Sequence, residues 1–451
     1  MNIVVQPTKN EAERAIAAHF DAIASSLPGA DLAWMARLRT DAMAAFETGG
    51  LPHRRLEAWK YTDLRSRIGQ IFDPASDGAE AISESDIYDV LGRGFDELYC
   101  YRVVVADGVF RPELSHLDGL EDRIEVLSLR DVLADGDGAE WLRGQLAKAV
   151  AGEDDTVVAL NTAFMSDGVV VRVADGAVIE RPLHIALVTG STEPETVTVR
   201  NVVEVGRGAR LTLLETYSTR RSPDILRNSA TQMTVHDGAE VHHIKLQNHG
   251  MRAVDLATWM VELGASAIYR ACQFTIGSAL SRNQIYLRFN GAGSVANLAA
   301  ASMLWDEQHS DTTINVDHAA PGCESRELFK CVLDDRARGV FQGKVTVRQI
   351  AQKTDGKQMA QALMLGEHAE FDSKPELEIF ADDVICGHGS TSGRLDEDML
   401  FYLRARGIGE DVASALLVQA FIGEALGAVE NEEVREALRL MAAAWLSHSR
   451  A

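Results

Sequence analysis

The sequence predicts a mainly β protein whose core is a solenoid of stacked β-coils, with a helical region at each end. From about residue 155 to 385, short β-branched runs alternate with small turns, and helical periodicity is absent. Within this stretch a Gly-Ala step recurs every 26–30 residues, at 208–209, 238–239, 264–265 and 291–292. A period of this length is typical of a stacked repeat.

The solenoid has one serious alternative, a β-sandwich, because strands at regular spacing also fit that fold. Helix-pair repeats are excluded by the missing 3.6-residue stripes. Glycine at the corners favours coils, since it adopts positive φ without a steric penalty. We therefore expect stacked parallel strands over about 155–385, and an antiparallel two-sheet sandwich would contradict this expectation.

Both ends of the chain show helical patterns. Thr8 and Glu11 fit a capping box at the start of a first helix. The segment 410–426 is apolar nearly all round, so it must be buried against neighbouring elements or a partner. We divide the chain into a helical region over 1–95, a β-helix core over 96–390 with regular repeats from about 155, and a helical domain over 391–451.

Charge and cysteine content exclude several classes of protein. The chain has 44 Lys and Arg against 67 Asp and Glu, a net charge of −23. This balance argues against general nucleic-acid binding and against docking on anionic lipid. No segment is apolar over the roughly 20 residues needed to span a bilayer, so no membrane partner is expected. Five scattered cysteines make a poor disulfide framework, which indicates a reducing cytoplasm.

No motif for ATP hydrolysis or for nucleophilic catalysis is present. Gly343 and Lys344 are followed by Val345 instead of Ser or Thr, and the earlier glycine of a phosphate loop is missing. We therefore assign no catalytic residue.

The sharpest local feature is the segment from Ala381 to Gly389. On an extended strand Cys386 and His388 share a face, with their α-carbons roughly 6.5 Å apart, so a thiolate and an imidazole can converge on one metal ion. Asp382 has the same parity and could support the site. Two or three ligands make an open metal site, whose remaining ligands come from elsewhere in the fold, from substrate or from another chain. The competing interpretation, a Gly-rich turn with a buried Cys, is equally compatible with these residues.

The segment 57–62 places Trp59 and Tyr61 between charged residues. It could bind a partner, but the favoured interpretation is an anchor whose rings bury against the repeat domain.

Six motifs follow one another along the carboxyl-terminal part of the chain. They are Gly339-Val-Phe-x-Gly343-Lys344, Ala351-Gln-Lys-Thr-Asp355, Lys374-Pro-Glu-Leu-Glu-Ile379, Ala381-Asp-Asp383, Gly393-x-Leu-Asp-Glu397 and Leu400-Phe-Tyr-Leu-x-x-Arg-Gly-Ile408. Taken in this order, these motifs resemble the carboxyl-terminal core shared by the SufB and SufD proteins. The segment 57–62 and the Cys-Gly-His arrangement at 386–388 are similar to the SufD branch of that family. One departure is Ile385 and Gly387 around the cysteine, where a Lys and a Ser are more usual.

The resemblance implies a right-handed parallel β-helix and a non-ATPase scaffold subunit of a complex with a SufB-like paralogue and the ATPase SufC. It implies that His388, with Cys386, contributes to a transient iron–sulfur cluster at the SufB–SufD interface. The resemblance also implies that SufC docks on the carboxyl-terminal helices. We expect Phe401, Leu417 and Phe421 to form part of that contact. A homodimer of the isolated chain and a flavin on the complex are left open.

Two other functions compete with the scaffold interpretation. A SufB-type paralogue would carry the main cluster-building cysteines, which are sparse here. A β-helix polysaccharide lyase would need paired carboxylates in a cleft or a calcium site. Asp382 with Asp383 is the only candidate for such a carboxylate pair.

Overall fold

The computed structural model describes residues 9–69, 72, 82–92, 94–120, 122–147, 151, 155–221 and 223–448. A parallel β-solenoid forms its centre, and helices lie at both ends of the chain, as predicted. The helices are α1 (Glu11–Ile23), α2 (Ala33–Gly49), α3 (Leu64–Arg67), α4 (Glu84–Leu91), α5 (Leu129–Ala134), α6 (Gly136–Leu146), α7 (Thr156–Phe164), α8 (Glu397–Ala405), α9 (Glu410–Leu426) and α10 (Glu432–His448). None of the helices in this part of the chain is long and apolar enough to cross a bilayer.

The strands alternate between two sheets, so each coil of the solenoid contributes one strand to each. The ten-stranded sheet contains β1 (Tyr101–Ala106), β2 (Val109–Phe110), β5 (Leu183–Thr189), β7 (Arg210–Thr219), β9 (Glu240–Asn248), β11 (Ile268–Thr275), β13 (Val295–Leu304), β15 (Glu324–Leu333), β17 (Asp355–Met364) and β19 (Ile385–Gly393). The nine-stranded sheet contains β3 (Ile124–Ser128), β4 (Val169–Val173), β6 (Glu195–Val205), β8 (Ile225–Val235), β10 (Val254–Leu263), β12 (Leu280–Phe289), β14 (His309–His318), β16 (Arg338–Val347) and β18 (Glu370–Ile379).

The strand register confirms the period read from the sequence. Val254 pairs with Leu280, Leu280 with His309, and His309 with Arg338, all in parallel. These steps of 26, 29 and 29 residues are single turns of the solenoid. From β4 to β19 every pairing along the sheets is parallel, so the β-sandwich alternative is wrong.

The predicted starting point of the regular coils was too early. Residues 156–164 form helix α7, although their β-branched run has the composition of a strand. Asp155 caps this helix by accepting hydrogen bonds from the backbone N–H groups of Val157 and Val158. The Asn161 side-chain amide then donates to the Val199 carbonyl at 2.9 Å, which fixes the helix on the nine-stranded sheet.

One corner of the solenoid repeats a single backbone conformation in successive coils. Gly208 and Gly238 have φ of 65° and 68° there, and Ser266 and Lys353 take the same region without being glycine. Each of these residues donates its N–H to a carbonyl of the next coil, as Gly208 does to Asp237 at 3.0 Å. Glycine is required at position 291 for a different reason, because a Cβ there would lie 2.0 Å from the Ala265 nitrogen.

The interior of the solenoid, which we call the lumen, holds the main hydrophobic core. Alternate residues of each strand point into it, among them Leu298 of β13 and Phe329 of β15. Residues that pair across neighbouring strands form columns that run along the lumen wall. Strands β14 and β16 contribute the apolar Ile314 and Phe341 to this core, and β14 also contributes the buried His318.

The cap of the first helix lies two residues later than predicted. Asn10 and Glu13 form the capping box, with Asn10 Oδ1 accepting from Glu13 N at 2.8 Å and Glu13 Oε2 accepting from Asn10 N at 2.7 Å. Thr8 lies outside the described residues.

Helix α9 is buried on one side only. Val418, Ile422 and Ala425 pack on the outer face of the ten-stranded sheet. Val412 and Leu416 remain exposed on its other side. The apolar pattern of the helix therefore serves intramolecular packing and also leaves apolar surface uncovered.

Candidate functional site

The last coil of the solenoid leaves both sheets open. Strands β18 and β19 are the terminal strands of their sheets, and no strand in the described ranges pairs with their outer edges. Both strands are mostly exposed or half-buried, unlike the strands before them. Unpaired edges of this kind are templates for pairing with another chain.

Cys386 and His388 lie on β19 and point to the same side, as the sequence predicted. Cys386 is half-buried and packs against the core of the lumen, while His388 is exposed. We call the open end of the lumen beside these two residues the mouth. Asp382 lies in the exposed turn before β19, so the parity argument that associated it with the pair does not apply.

The Cys386 thiol is protonated in this environment. Burial raises its pKa, and the Asp355 and Glu327 carboxylates raise it further, while a backbone hydrogen bond with Gly356 opposes the rise. A thiol of this kind becomes a thiolate when a metal ion replaces its proton. The site therefore favours metal ligation over free nucleophilic chemistry.

A column of polar residues leads from His388 into the lumen, and the sequence analysis missed it. His388 pairs with Gln358, and Gln358 pairs with Glu327. Glu327 is 2% exposed and neither carboxylate oxygen has a hydrogen-bond partner. The spacings of 30 and 31 residues match the coil period, so aligning the coils could have found the column.

Exposed apolar residues border the mouth. Phe380 is 62% exposed and Ile385 is 65% exposed, and the two flank the turn that joins β18 to β19. Ile379 beside them is also exposed. Apolar side chains next to open strand edges are typical of a protein–protein contact.

The three residues expected at the ATPase contact have different environments. Phe401 on α8 is 73% exposed. Leu417 and Phe421 on α9 are half-buried. Phe421 lies under Lys330, whose Nζ is 4.4 Å from the ring centroid, so its main contact is within this chain. Met399, Tyr402, Val412 and Leu416 extend the exposed apolar surface around Phe401, and we call this set the α8–α9 patch.

The aromatic segment 57–62 is a packing anchor, which was the favoured interpretation of its sequence. Trp59 is 5% exposed, and the Arg282 guanidinium lies 4.1 Å from its ring centroid. The Ala58 carbonyl accepts hydrogen bonds from Arg282 Nη2 at 2.8 Å and Gln342 Nε2 at 3.1 Å. Lys374 of β18 pairs with Glu57, which ties the amino-terminal region to the last coil.

Residues that suggested other chemistry have structural roles. Gly343 and Lys344 lie inside β16, where Lys344 pairs with Glu378 at 2.8 Å, so they form no phosphate loop. Asp383 pairs with Lys353 at the solenoid corner.

Comparison with known proteins agrees with the fold and with the motifs. The model of the SufBD core domain of the SUF system for FeS cluster assembly matches residues 187–421, and the SufBD amino-terminal region matches 10–185. An iron–sulfur cluster assembly SufBD family protein of Synechocystis is 31% identical over 86% of each chain. The iron–sulfur cluster assembly protein SufD of Escherichia coli is 30% identical over 86% of this chain and 87% of its own. A SufBD family protein of Mycobacterium leprae is 37% identical over 42% of this chain and 50% of its own.

These matches leave the lyase alternative without support. The two family models together extend over most of the chain, and the two longest of these matches are to proteins named for iron–sulfur cluster assembly. The chain belongs to the SufBD family of iron–sulfur cluster assembly proteins.

Proposed function

We propose that the chain is a scaffold subunit without catalytic turnover of its own, and that its mouth contributes to an iron–sulfur cluster site shared with a SufB-like paralogue. The observation that carries the proposal is the position of Cys386 and His388 at the open end of the lumen, between unpaired strand edges. Two ligands leave most positions of a metal or cluster unfilled, so a partner supplies the rest.

The open strand edges and their apolar border support the paralogue as this partner. A second solenoid of the same family presents strands of the same spacing, and its own end residues would complete the ligand set. Phe380 and Ile385 would become buried in that contact, each contributing roughly 1.5–3 kcal/mol.

The α8–α9 patch supports docking of a SufC-like ATPase. Helix α8 buries none of its residues in this chain, although it presents Met399, Phe401 and Tyr402. Such a helix requires a partner to account for its apolar surface. Phe401 is the centre of this proposed contact, with Leu417 and Phe421 at its inner border.

One variant and a matched control test the contact with the paralogue. We expect Phe380→Asp to lose the paralogue but keep the isolated chain folded, because the new charge replaces an exposed ring. Val178→Asp is the matched control, since Val178 is 47% exposed on an early coil far from the mouth. Co-purification with both partners is the measurement. A Phe380→Asp chain that retains the paralogue as well as the control would contradict docking at the mouth.

A further inference from the structure

Glu327 is a buried carboxyl near the mouth whose burial the fold does not explain. It is a carboxyl group with 2% exposure, its side chain points into the lumen, and both of its oxygens lack partners. Burying such a group without partners is costly. A buried, unpartnered carboxyl beside a ligand-bearing opening marks a functional position.

Among the described residues, no cationic side chain forms an ion pair with Glu327. On its own strand Arg326 points outward and pairs with Asp355 at 2.6 Å. The Ser325 hydroxyl is beside the carboxyl but bonds to His318 Nε2 at 3.1 Å. The neighbour in the next strand is the uncharged Gln358, whose Oε1 also lacks a partner.

The mouth lies on the remaining side of Glu327. Beyond Gln358 in the same column is His388, and Cys386 is close enough for the Glu327 carboxylate to act on its pKa. The lumen residues next to it are the apolar Leu298 and, from β14, the apolar Ile314 and the buried His318. Burial lowers the pKa of His318 to about 4, so its imidazole is neutral at pH 7. The mouth is therefore the side from which we expect a metal ion to approach this carboxyl.

We propose that the mouth binds a divalent transition-metal ion and that Glu327 is the inner anionic group of that site, protonated when the site is empty and ionised when the ion is present. This inference rests on the proposed function, because Cys386 and His388 are the ligands assumed. Glu327 acts on the ion through the field inside the lumen, so it is a positioning residue and direct ligation is not required.

The protonation state of Glu327 supports the first half of this cycle. Burial raises its pKa to about 8, opposed by Ser325 and Arg326. The acid is therefore neutral at pH 7 without a cation. A cation nearby lowers the pKa of a carboxyl, so its proton leaves when the ion binds.

The test measures how the affinity of the purified full chain for cobalt(II) depends on pH, under strict anaerobiosis. Thiolate ligation by Cys386 releases one proton, and ionisation of Glu327 releases a second. Between pH 6.8 and 7.8 we expect the wild-type dissociation constant to fall about 60-fold, and that of Glu327→Gln about 10-fold, because Glu327 is already partly ionised at the higher pH. Glu324→Gln is the control, because Glu324 is exposed on the outward face of the same strand.

Each outcome has a separate meaning. Equal pH slopes in wild type and Glu327→Gln would overturn this inference and leave the Cys386–His388 pair intact. No cobalt binding by the wild-type chain would also overturn it, while the proposed function is decided by cluster content in the complex. Cobalt binding that is unchanged in both Cys386→Ser and His388→Ala would contradict the ligands assumed here.

Discussion

The Cys386 sulfur lies 3.7 Å from the point where a Cβ on Gly356 would be. Gly356 pairs with Cys386 across the last two strands of the sheet, so the missing side chain leaves space beside the thiol at the mouth. This space is one methyl group in size, because Ser325 Oγ lies 3.4 Å from the same point.

Gly356→Ala should therefore be tolerated. All contacts of the added Cβ are at ordinary van der Waals distances, and the residue is not in the positive-φ region. A compatible Gly→Ala change stabilises by about 0.4–1 kcal/mol, chiefly by restricting the unfolded chain. Urea unfolding measures this gain. A loss of more than 1 kcal/mol would show that the space beside Cys386 is smaller than described.

Phe401→Asp should release the ATPase and leave the paralogue bound. The substitution places a charge on an exposed helix face, so the chain should remain folded. Co-purification with both partners is the measurement, with Phe380→Asp as the reciprocal variant that keeps the ATPase. Retention of the ATPase at wild-type strength would show that the docking surface lies elsewhere.

Phe421→Ala should mainly reduce stability. Its ring is half-buried beneath Lys330, which also pairs with Glu424 of the same helix. Removal of the ring should lower the free energy of unfolding by up to about 3 kcal/mol. This is the smallest loss typical of a fully buried Phe. Thermal unfolding with a readout of helix content measures it. An unchanged melting temperature, together with loss of the ATPase, would instead assign Phe421 to the partner contact.

Glu327 should make the wild-type protein less stable as pH rises. The unfolded chain ionises this carboxyl near pH 4.5, while the folded chain keeps the proton up to about pH 8. Between these values the unfolded state binds fewer protons, so stability falls by at most about 1.4 kcal/mol per pH unit. Glu327→Gln should lose this slope, and its stability relative to wild type should therefore increase between pH 5 and pH 8. Urea unfolding at the two values checks it, and parallel slopes in both proteins would contradict the buried neutral acid.

The sequence allowed the solenoid to be predicted because each coil repeats the same corner. Gly208 and Gly238 mark that corner by their conformation, and Gly291 by the close approach of the next coil. Helix α7 was not predicted, because its residues have the β-branched composition of a strand. Asp155 caps the segment, and it forms a helix in spite of that composition.

Part of the site was also accessible from the sequence. Cys386 and His388 could be placed on one face because a strand alternates its side chains. Glu327 was not linked to them, because its relation to His388 passes through two strand pairings and appears only when the coils are aligned residue by residue. The division of α9 into a packed and an exposed side depends on where the helix docks, which its nearly uniform apolar pattern does not specify.

The direct test of the mouth as a cluster site is the content of iron and acid-labile sulfide per purified complex. It is measured in wild type, in His388→Ala and in the control His368→Ala. His368 is exposed in the turn between β17 and β18, away from the strand that carries Cys386. We expect all three to form the complex in similar yield, and only His388→Ala to lose most of its iron and sulfide. Normal iron and sulfide in an intact His388→Ala complex would contradict the assignment of the mouth as a cluster site.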